Sequence, residues 1–232
     1  MIHDPPLLKV RRSFARPDAA QLAAIADANT GWLTDAQFGR GSLGPTVKPI
    51  FPTDPRLNRF HGVALTCHCG PDDNLALAAA ASLAKPGDVV IVAAEGFAHS
   101  GLCGDLLAGM MKNRGVAALV SDGMFRDIAG LREVGLPVFA AGIDPNSCVR
   151  QGPGTVGLPI VVGGRPIDSG DLVFGDEDGV VTVPLANIDA VLAQLALVKA
   201  GEAETLAKVK AGLDSPPWVE ALLRSDRVVY VD

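Results

Sequence analysis

Asp88-Val89-Val90-Ile91-Val92-Ala93-Ala94 is an unbroken apolar, β-branched run opened by a single acid. A strand with one wet face alternates apolar and polar residues. A run that is apolar at every position suits a strand covered on both faces, as in a parallel sheet. The surroundings repeat the theme. Upstream, residues 62–69 read as a strand and residues 73–84 as a helix with an acidic start, an alanine-rich body and a Lys85-Pro86-Gly87 stop. Downstream, residues 104–114 read as a helix closed by Gly115, residues 116–121 as a buried strand, residues 126–134 as a short helix closed by Gly135, and residues 137–141 as another strand. Strand and helix in strict alternation predict βαβ units and a largely parallel sheet.

The flanks differ. Residues 18–29 read as a helix capped by Asp18, with Leu22, Ile25 and Ala26 on one face. Residues 31–55 are a loop-rich entry dense in Gly, Pro and Thr. In the last third, residues 159–162, 171–174 and 179–183 read as short strands. Asp178-Gly179 signals a tight turn, so part of this region is expected to be antiparallel. The acidic run Asp176-Glu177-Asp178 reads as a solvated turn. Residues 185–212 read as a long polar helix, and Pro216-Pro217 interrupts it. The expected fold class is α/β: a single domain over residues 1–184, with a mixed, partly parallel sheet flanked by helices, plus a C-terminal helical extension over residues 185–232 that suits packing on a neighbouring subunit.

Composition bounds the rest. With 232 residues, 48% hydrophobic and 20% charged, the chain is globular and long enough for one substantial core. Aromatics are 5%, so Ala, Val and Leu must build that core. A net charge of -6 argues against nucleic acid, and Arg11, Arg12 and Arg16 are too short a cluster to serve as a nucleic-acid arm. No apolar run reaches membrane-spanning length, and residues 1–9 lack the apolar stretch of a signal peptide. Together with Cys67, Cys69, Cys103 and Cys148 kept reduced, this leads us to expect a cytoplasmic protein with neither a membrane nor a nucleic-acid partner.

Chemistry is expected where strands end and helices begin, because ligands of α/β sheets collect at the carboxyl ends of strands. Ser121-Asp122-Gly123-Met124-Phe125-Arg126-Asp127 is such a place. Arg126 offers a planar fork for a carboxylate, and Asp127 offers hard oxygens for Mg²⁺ or Mn²⁺. An Asp that caps a helix beside an Arg in a surface pair reads the same residues equally well. The glycine-punctuated stretch from Glu95 to Leu107 is a second such place. Free backbone N–H groups at a helix start form an anion site, and Gly104 admits a ligand close to the backbone.

The pattern Gly104-Asp105-Leu106-Leu107, then Asp122-Gly123 and Arg126-Asp127, resembles the RraA-like family. Its enzymatic members are the 4-hydroxy-4-methyl-2-oxoglutarate / 4-carboxy-4-hydroxy-2-oxoadipate aldolases. Asp73-Asn74-Leu75, Lys85-Pro86-Gly87-Asp88-Val89-Val90, Gly135-Leu136-Pro137-Val138-Phe139, Gly170-Asp171 and Asp178-Gly179-Val180-Val181 up to Pro184 support the match, which spans roughly residues 22–184. The resemblance implies a swivelling β/β/α fold and a divalent metal, Mg²⁺ first with Mn²⁺ or Co²⁺ as alternates. It implies a small 2-oxo acid substrate, cleavage of a 4-hydroxy-2-oxo acid to pyruvate, and oxaloacetate decarboxylation on the side. Asp127 would be the protein ligand of the metal. Arg126 would hold the substrate's carboxylate or keto oxygen. Gly104, Asp105, Leu106 and Leu107 would bind the pyruvyl carboxylate through backbone N–H groups, and Asp105 would help to move a proton. A homotrimer or homohexamer is implied, with a glutamate from a neighbour's C-terminal helix near the metal; Glu202 is the candidate and Glu204 the reserve. The same resemblance admits a second reading, a regulator that binds a protein partner and catalyses nothing.

Other features point elsewhere. In a strand, Cys67 and Cys69 share one face and His68 takes the other, which suits strand residues better than a zinc site. His99 reads either as a substrate contact or as a solvent-facing loop residue. A Schiff-base aldolase needs a buried lysine, and Lys48, Lys85 and Lys112 stand beside Pro, Pro-Gly and Asn-Arg, in loop or helix-end settings.

Overall fold

The computed structural model describes residue 4 and residues 6–231. In chain order its first elements are β1 (Leu8–Val10), α1 (Ala19–Ala24), α2 (Thr30–Asp35), β2 (Lys48–Pro49) and β3 (Phe60–His68). The helix expected over residues 18–29 is shorter, ending at Ala24, and a second helix begins just beyond that range. Asp18 caps the first in a reciprocal capping box: its carboxylate accepts from Gln21 N–H at 2.8 Å, and Gln21 Oε1 accepts from Asp18 N–H at 2.9 Å. Asn29 starts the second, accepting from Trp32 N–H at 2.7 Å. An Asn side chain competes for backbone donors, so it opens a helix more readily than it continues one. α2 therefore stands where only loop was expected.

The middle follows the alternation: α3 (Leu75–Leu83), β4 (Asp88–Ala93), β5 (Gly101–Cys103), α4 (Asp105–Asn113), β6 (Ala118–Ser121), β7 (Met124–Phe125), α5 (Ile128–Val134), β8 (Val138–Ala140) and β9 (Gly142–Ile143). Strands β3, β4, β6 and β8 pair in parallel in that order. The last third adds β10 (Gly154–Val156), β11 (Ile160–Val162), β12 (Arg165–Ile167), β13 (Leu172–Asp176) and β14 (Gly179–Val183). β13 and β14 form an antiparallel hairpin, and β13 pairs antiparallel with β3. The sheet is therefore mixed, as the turn signal at Asp178-Gly179 required.

β4 explains its own sequence. Val90 and Val92 enter a core under α3, α4 and α5, with Leu77, Ala80, Ala108, Met111 and Leu131. Val89, Ile91 and Ala93 enter a second core on the opposite face, with Val120, Phe139, Val162 and Val173. Period-two side chains with both faces covered leave no position for a polar residue. Each Val or Ile moved fully out of water contributes roughly 1.5–3 kcal/mol.

The strand-to-helix loops carry a second, smaller sheet. β5, β7 and β9 lie parallel in that order, each one following a main-sheet strand. This extra layer makes the fold the swivelling β/β/α kind.

The acidic run Asp176-Glu177-Asp178 is not simply a solvated turn. Asp176 is buried, and its carboxylate accepts from Thr30 N–H at 2.8 Å, Thr30 Oγ1–H at 2.7 Å and Asp178 N–H at 3.1 Å. It fixes Thr30 at the start of α2 alongside the local cap Asn29, and no local pattern announces an acceptor supplied from a distant hairpin.

The C-terminal region begins with a 3₁₀ turn (Leu185–Asn187), followed by α6 (Ile188–Lys210) and α7 (Pro217–Leu223). Pro217 opens α7 at a position where its missing N–H costs nothing. Two compact units result: one ends at Leu195, and the other begins at Ala196 within α6. In the second unit no described residue is buried. Its helices carry the i,i+4 pairs Glu204–Lys208 (2.7 Å) and Glu220–Arg224 (3.1 Å). Among the described residues, no helix is long and apolar enough to cross a membrane.

Candidate active site

Two strand-to-helix junctions lie side by side. β5 runs through Gly104 into α4, and β7 runs through Arg126 and Asp127 into α5. Their register is set by β5–β7 pairing, Gly101 with Met124 and Cys103 with Phe125, and Arg126 N–H donates to Cys103 O at 3.0 Å. The turn before β7 is pinned from within: Ser121 Oγ donates to Val92 O at 3.0 Å and accepts from Gly123 N–H at 2.9 Å. Asp122 accepts from Ala94 N–H at 2.7 Å, and burial pushes its carboxyl above the usual carboxylate range.

Asp127 occupies the N-cap position of α5, yet its side chain makes no capping hydrogen bond. Its backbone is left-handed, with φ 60 and ψ 46. For a residue other than Gly this conformation costs about 1 kcal/mol, less for Asp than for most. The conformation turns the carboxylate away from the helix and toward Arg126, whose Nε lies 3.3 Å from Asp127 Oδ2. Arg126 also donates through Nη1 to Ser147 Oγ. Both side chains are partly open to solvent, Arg126 at 33% and Asp127 at 44%. The helix-capping reading of Asp127 is therefore not what the structure shows.

Gly104 opens α4, also without a side-chain cap. In the first turn, Asp105 Oδ1 accepts from Leu106 N–H at 2.7 Å. α5 approaches Asp105 closely: a Cβ on Gly130 would lie 2.2 Å from Asp105 Oδ2. Around these groups is a cavity of 130 Å³, small beside the roughly 300–1,000 Å³ of pockets for drug-sized ligands. Gly104, Asp105, Leu106, Leu107, Arg126 and Asp127 all line it. The fold thus brings together every candidate site residue of the first unit. Glu202 and Glu204 stand exposed on α6 in the second unit, and Lys208 beside Glu204 holds that carboxyl below its ordinary range.

Sequence reasoning missed three polar lining residues: Asn74, Ser147 and Arg150. Asn74 is buried. Its Nδ2 donates to Leu102 O at 2.7 Å, while its Oδ1 finds no donor. An orphaned acceptor costs roughly 1–3 kcal/mol, and here it lies on a cavity wall. Arg150 is placed by Asp73, whose carboxylate accepts from Leu75 N–H at 2.8 Å and from Gln151 and Gly152 N–H. Asn74 was visible only as part of Asp73-Asn74-Leu75. Ser147 and Arg150 lie in an irregular stretch whose sequence has no periodicity to read.

The remaining candidates, Cys103 apart, fall outside this geometry. His99 is exposed, packs edge-on to Phe97 at 5.5 Å, and does not line the cavity. Cys67 and Cys69 are buried in the core under the helices. Cys103 lines the cavity, but burial pushes its thiol well up, so it is held protonated. Lys48 donates to Asp178 O, and Lys112 donates to Gly135 O at 2.9 Å; neither lines the cavity.

A divalent cation fits this donor set. Among the described residues no group of three His, Cys, Asp or Glu side chains could hold one, which argues against a closed, all-protein site such as structural zinc. Mg²⁺ commonly takes one or two carboxylates and keeps several waters. Asp127, with no capping duty, supplies such a carboxylate.

Comparison with known proteins gives a concordant picture. The family model described as RraA-like, Aldolase/RraA, matches residues 22–182. A protein of Halalkalibacterium halodurans named "Putative 4-hydroxy-4-methyl-2-oxoglutarate aldolase" is 34% identical over 194 residues, covering 84% of this chain and 89% of that protein. Among solved structures, an uncharacterized protein from Pseudomonas syringae pv. tomato shares the fold with a TM-score of 0.73 at 23% identity, covering 86% of this chain and 96% of the other. The RNA-processing inhibitor RraA from Thermus thermophilus superposes with a TM-score of 0.60 at 29% identity, covering 68% of this chain and 93% of the other.

Proposed function

We propose, on the premise that the chain belongs to the RraA-like family, that it is a lyase cleaving a 4-hydroxy-2-oxo acid to pyruvate and a second carbonyl compound, with oxaloacetate decarboxylation as a side activity. One observation carries the reading: Asp127 adopts a strained backbone, forgoes its capping bond and turns its carboxylate to Arg126 at the mouth of a small cavity. A merely structural Asp at this position would cap the helix.

In this reading Asp127 holds a divalent cation, Mg²⁺ first and Mn²⁺ or Co²⁺ as alternates. When bound, that ion supplies Lewis-acid stabilisation of the oxygen on which negative charge develops. The N-terminal amides of α4 at Gly104, Asp105, Leu106 and Leu107 take the pyruvyl carboxylate, aided by the helix dipole. The Arg126 guanidinium adds a fixed positive charge beside the 2-oxo oxygen. Cleavage breaks the C3–C4 bond and leaves its electron pair on the pyruvyl fragment. The proton of the 4-hydroxyl leaves at the same time, and in this reading Asp105, which lines the cavity, relays it to C3 of the pyruvyl fragment to give pyruvate. Loss of CO₂ from oxaloacetate leaves charge at the same atoms, so one set of residues serves both reactions. Asn74 and Arg150 face the substituents beyond the pyruvyl end, an acceptor and a cation for whatever polar groups the substrate carries there.

The second unit exposes Leu197, Leu206, Val209 and Trp218. An apolar surface of this kind suits packing on another copy of the chain, in a homotrimer or homohexamer. Glu202 of a neighbour is then our candidate for a further carboxylate at the metal.

A second reading is supported by the similarity to the Thermus RNA-processing inhibitor: a regulator that binds a protein partner. Pyruvate release from 4-hydroxy-4-methyl-2-oxoglutarate and from oxaloacetate, with Mg²⁺ and with EDTA, separates the two. Metal-dependent pyruvate supports the lyase; none from either substrate favours the regulator.

A further inference from the structure

Phe38 stands 82% exposed on a left-handed backbone, φ 55, in the turn that ends α2. A bulky residue rarely adopts that conformation, and here no burial of the ring offsets it. The turn is nonetheless well tied: Phe38 N–H donates to Asp35 O at 3.0 Å, and Gly39 N–H donates to Thr34 O at 2.9 Å. A strained residue held in place at the surface points to use rather than to packing.

Phe38 lines a cavity of 510 Å³, the size of a site for a small organic ligand. Its walls come from four parts of the first unit: the turn after α2, strand β12, the end of β14 and the start of α6. Ala36, Pro166, Pro184, Ala190 and Val191 give it apolar surface. Gly41 lets the turn close on β14. A Cβ there would lie 2.5 Å from Gln37 Nε2 and 2.9 Å from Thr182 O, and Thr182 N–H donates to Gly41 O at 2.9 Å. This cavity and the candidate active site have no described lining residue in common.

Among the described residues, Arg40 and Arg165 are the cations that line the cavity, and no carboxylate does. Arg165 Nε donates to Ser42 O at 3.2 Å, which leaves the Nη donors of its fork for another acceptor. Arg40 is exposed, and its side chain has no acceptor among the described residues. A bare inorganic ion would leave the apolar walls unused, and a neutral hydrocarbon would leave both guanidinium groups unmatched. An amphipathic anion uses both, and the exposed Phe38 ring offers a face or an edge to a second ring.

We infer that this cavity binds an aromatic carboxylate. The ring system packs against Phe38 and the apolar walls, and the carboxylate is taken by Arg40 and Arg165.

The test is calorimetric titration of the full chain with 2-naphthoate, and in parallel with 2-naphthalenemethanol and octanoate. The alcohol keeps the rings and lacks the charge, while octanoate keeps the charge and lacks the rings. We expect saturable binding of one 2-naphthoate per chain, with each of the other two weaker by about tenfold or more. Arg40→Gln removes an exposed, unpaired side chain, so it should keep the parent's thermal unfolding midpoint and weaken 2-naphthoate binding by about tenfold. Phe38→Asn places a residue that tolerates the left-handed backbone. It should weaken binding without lowering the midpoint. Arg126→Gln should bind as the parent does, which separates this cavity from the catalytic one and keeps the outcome independent of the lyase reading. The inference is overturned by absence of saturable 2-naphthoate binding, which is also the outcome if a second copy of the chain fills the cavity. It is equally overturned by the alcohol or octanoate binding as tightly as 2-naphthoate, by parental affinity in either Arg40→Gln or Phe38→Asn, or by loss of binding in Arg126→Gln.

Discussion

The Asp127 carboxylate fills the space where a side chain on Gly104 would begin: a Cβ on Gly104 would lie 2.0 Å from Asp127 Oδ2 and 3.0 Å from its Cγ. Two loops far apart in the chain are therefore matched atom to atom. The glycine is required by its neighbour's carboxylate, since its own backbone is extended (φ -112) and open to any residue.

Gly104→Ala should displace that carboxylate while leaving the fold intact. A shift of about 1 Å at a reacting centre costs on the order of 100-fold in rate. The measurement is kcat for pyruvate release beside the thermal midpoint. A variant with parental kcat would show that the position of Asp127 does not matter to turnover.

Asp127→Asn keeps a residue that tolerates the left-handed backbone and removes the charge. Turnover should fall by about 100-fold or more, and added Mg²⁺ should no longer raise it, with unfolding by urea unchanged within about 0.5 kcal/mol. Retained metal-dependent activity would place the metal on another residue.

Asp176→Ala removes the acceptor for both Thr30 N–H and Thr30 Oγ1–H. Leaving these buried donors unpaired at the start of α2 should cost about 2 kcal/mol, read from the urea midpoint at an unchanged m-value. A cost under about 0.5 kcal/mol would mean that solvent reaches Thr30 and replaces the carboxylate.

Asp122 offers a pH test. Burial raises its carboxyl in the folded protein, so between the unfolded and folded pKa values the native state binds more protons than the unfolded chain. Stability from this group is therefore lost as pH rises through that window. Asp122→Asn keeps an acceptor for Ala94 N–H and removes the titration. The variant should gain stability relative to the parent as pH is raised from about 4 toward neutrality. A difference independent of pH would mean that Asp122 is no harder to ionise when folded than when unfolded.

Elements with strong periodicity or punctuation were readable in advance. The run at β4, the Pro-Gly stop before it and the glycines after α4 and α5 each act through local chemistry. Three-residue strands such as β5, and the two-residue β7 and β9, are too short to leave a pattern; their pairing comes from the main strands beneath them. α2 was hidden for a related reason: beyond its local cap at Asn29, the acceptor for its first N–H, Asp176, lies 146 residues away in the chain.

The sequence alone determined the α/β class and the parallel middle, because backbone propensity and side-chain period are local; the pairing of a glycine helix start with Arg126-Asp127 came from the resemblance to a family. Only the tertiary structure decided whether Asp127 caps a helix or faces a cavity. That depends on one left-handed dihedral pair, on the missing Cβ of Gly104 in a neighbouring loop, and on Asn74 and Arg150 arriving from other strands' ends. Such matching is between surfaces brought together by folding, and no window of sequence contains both sides of it.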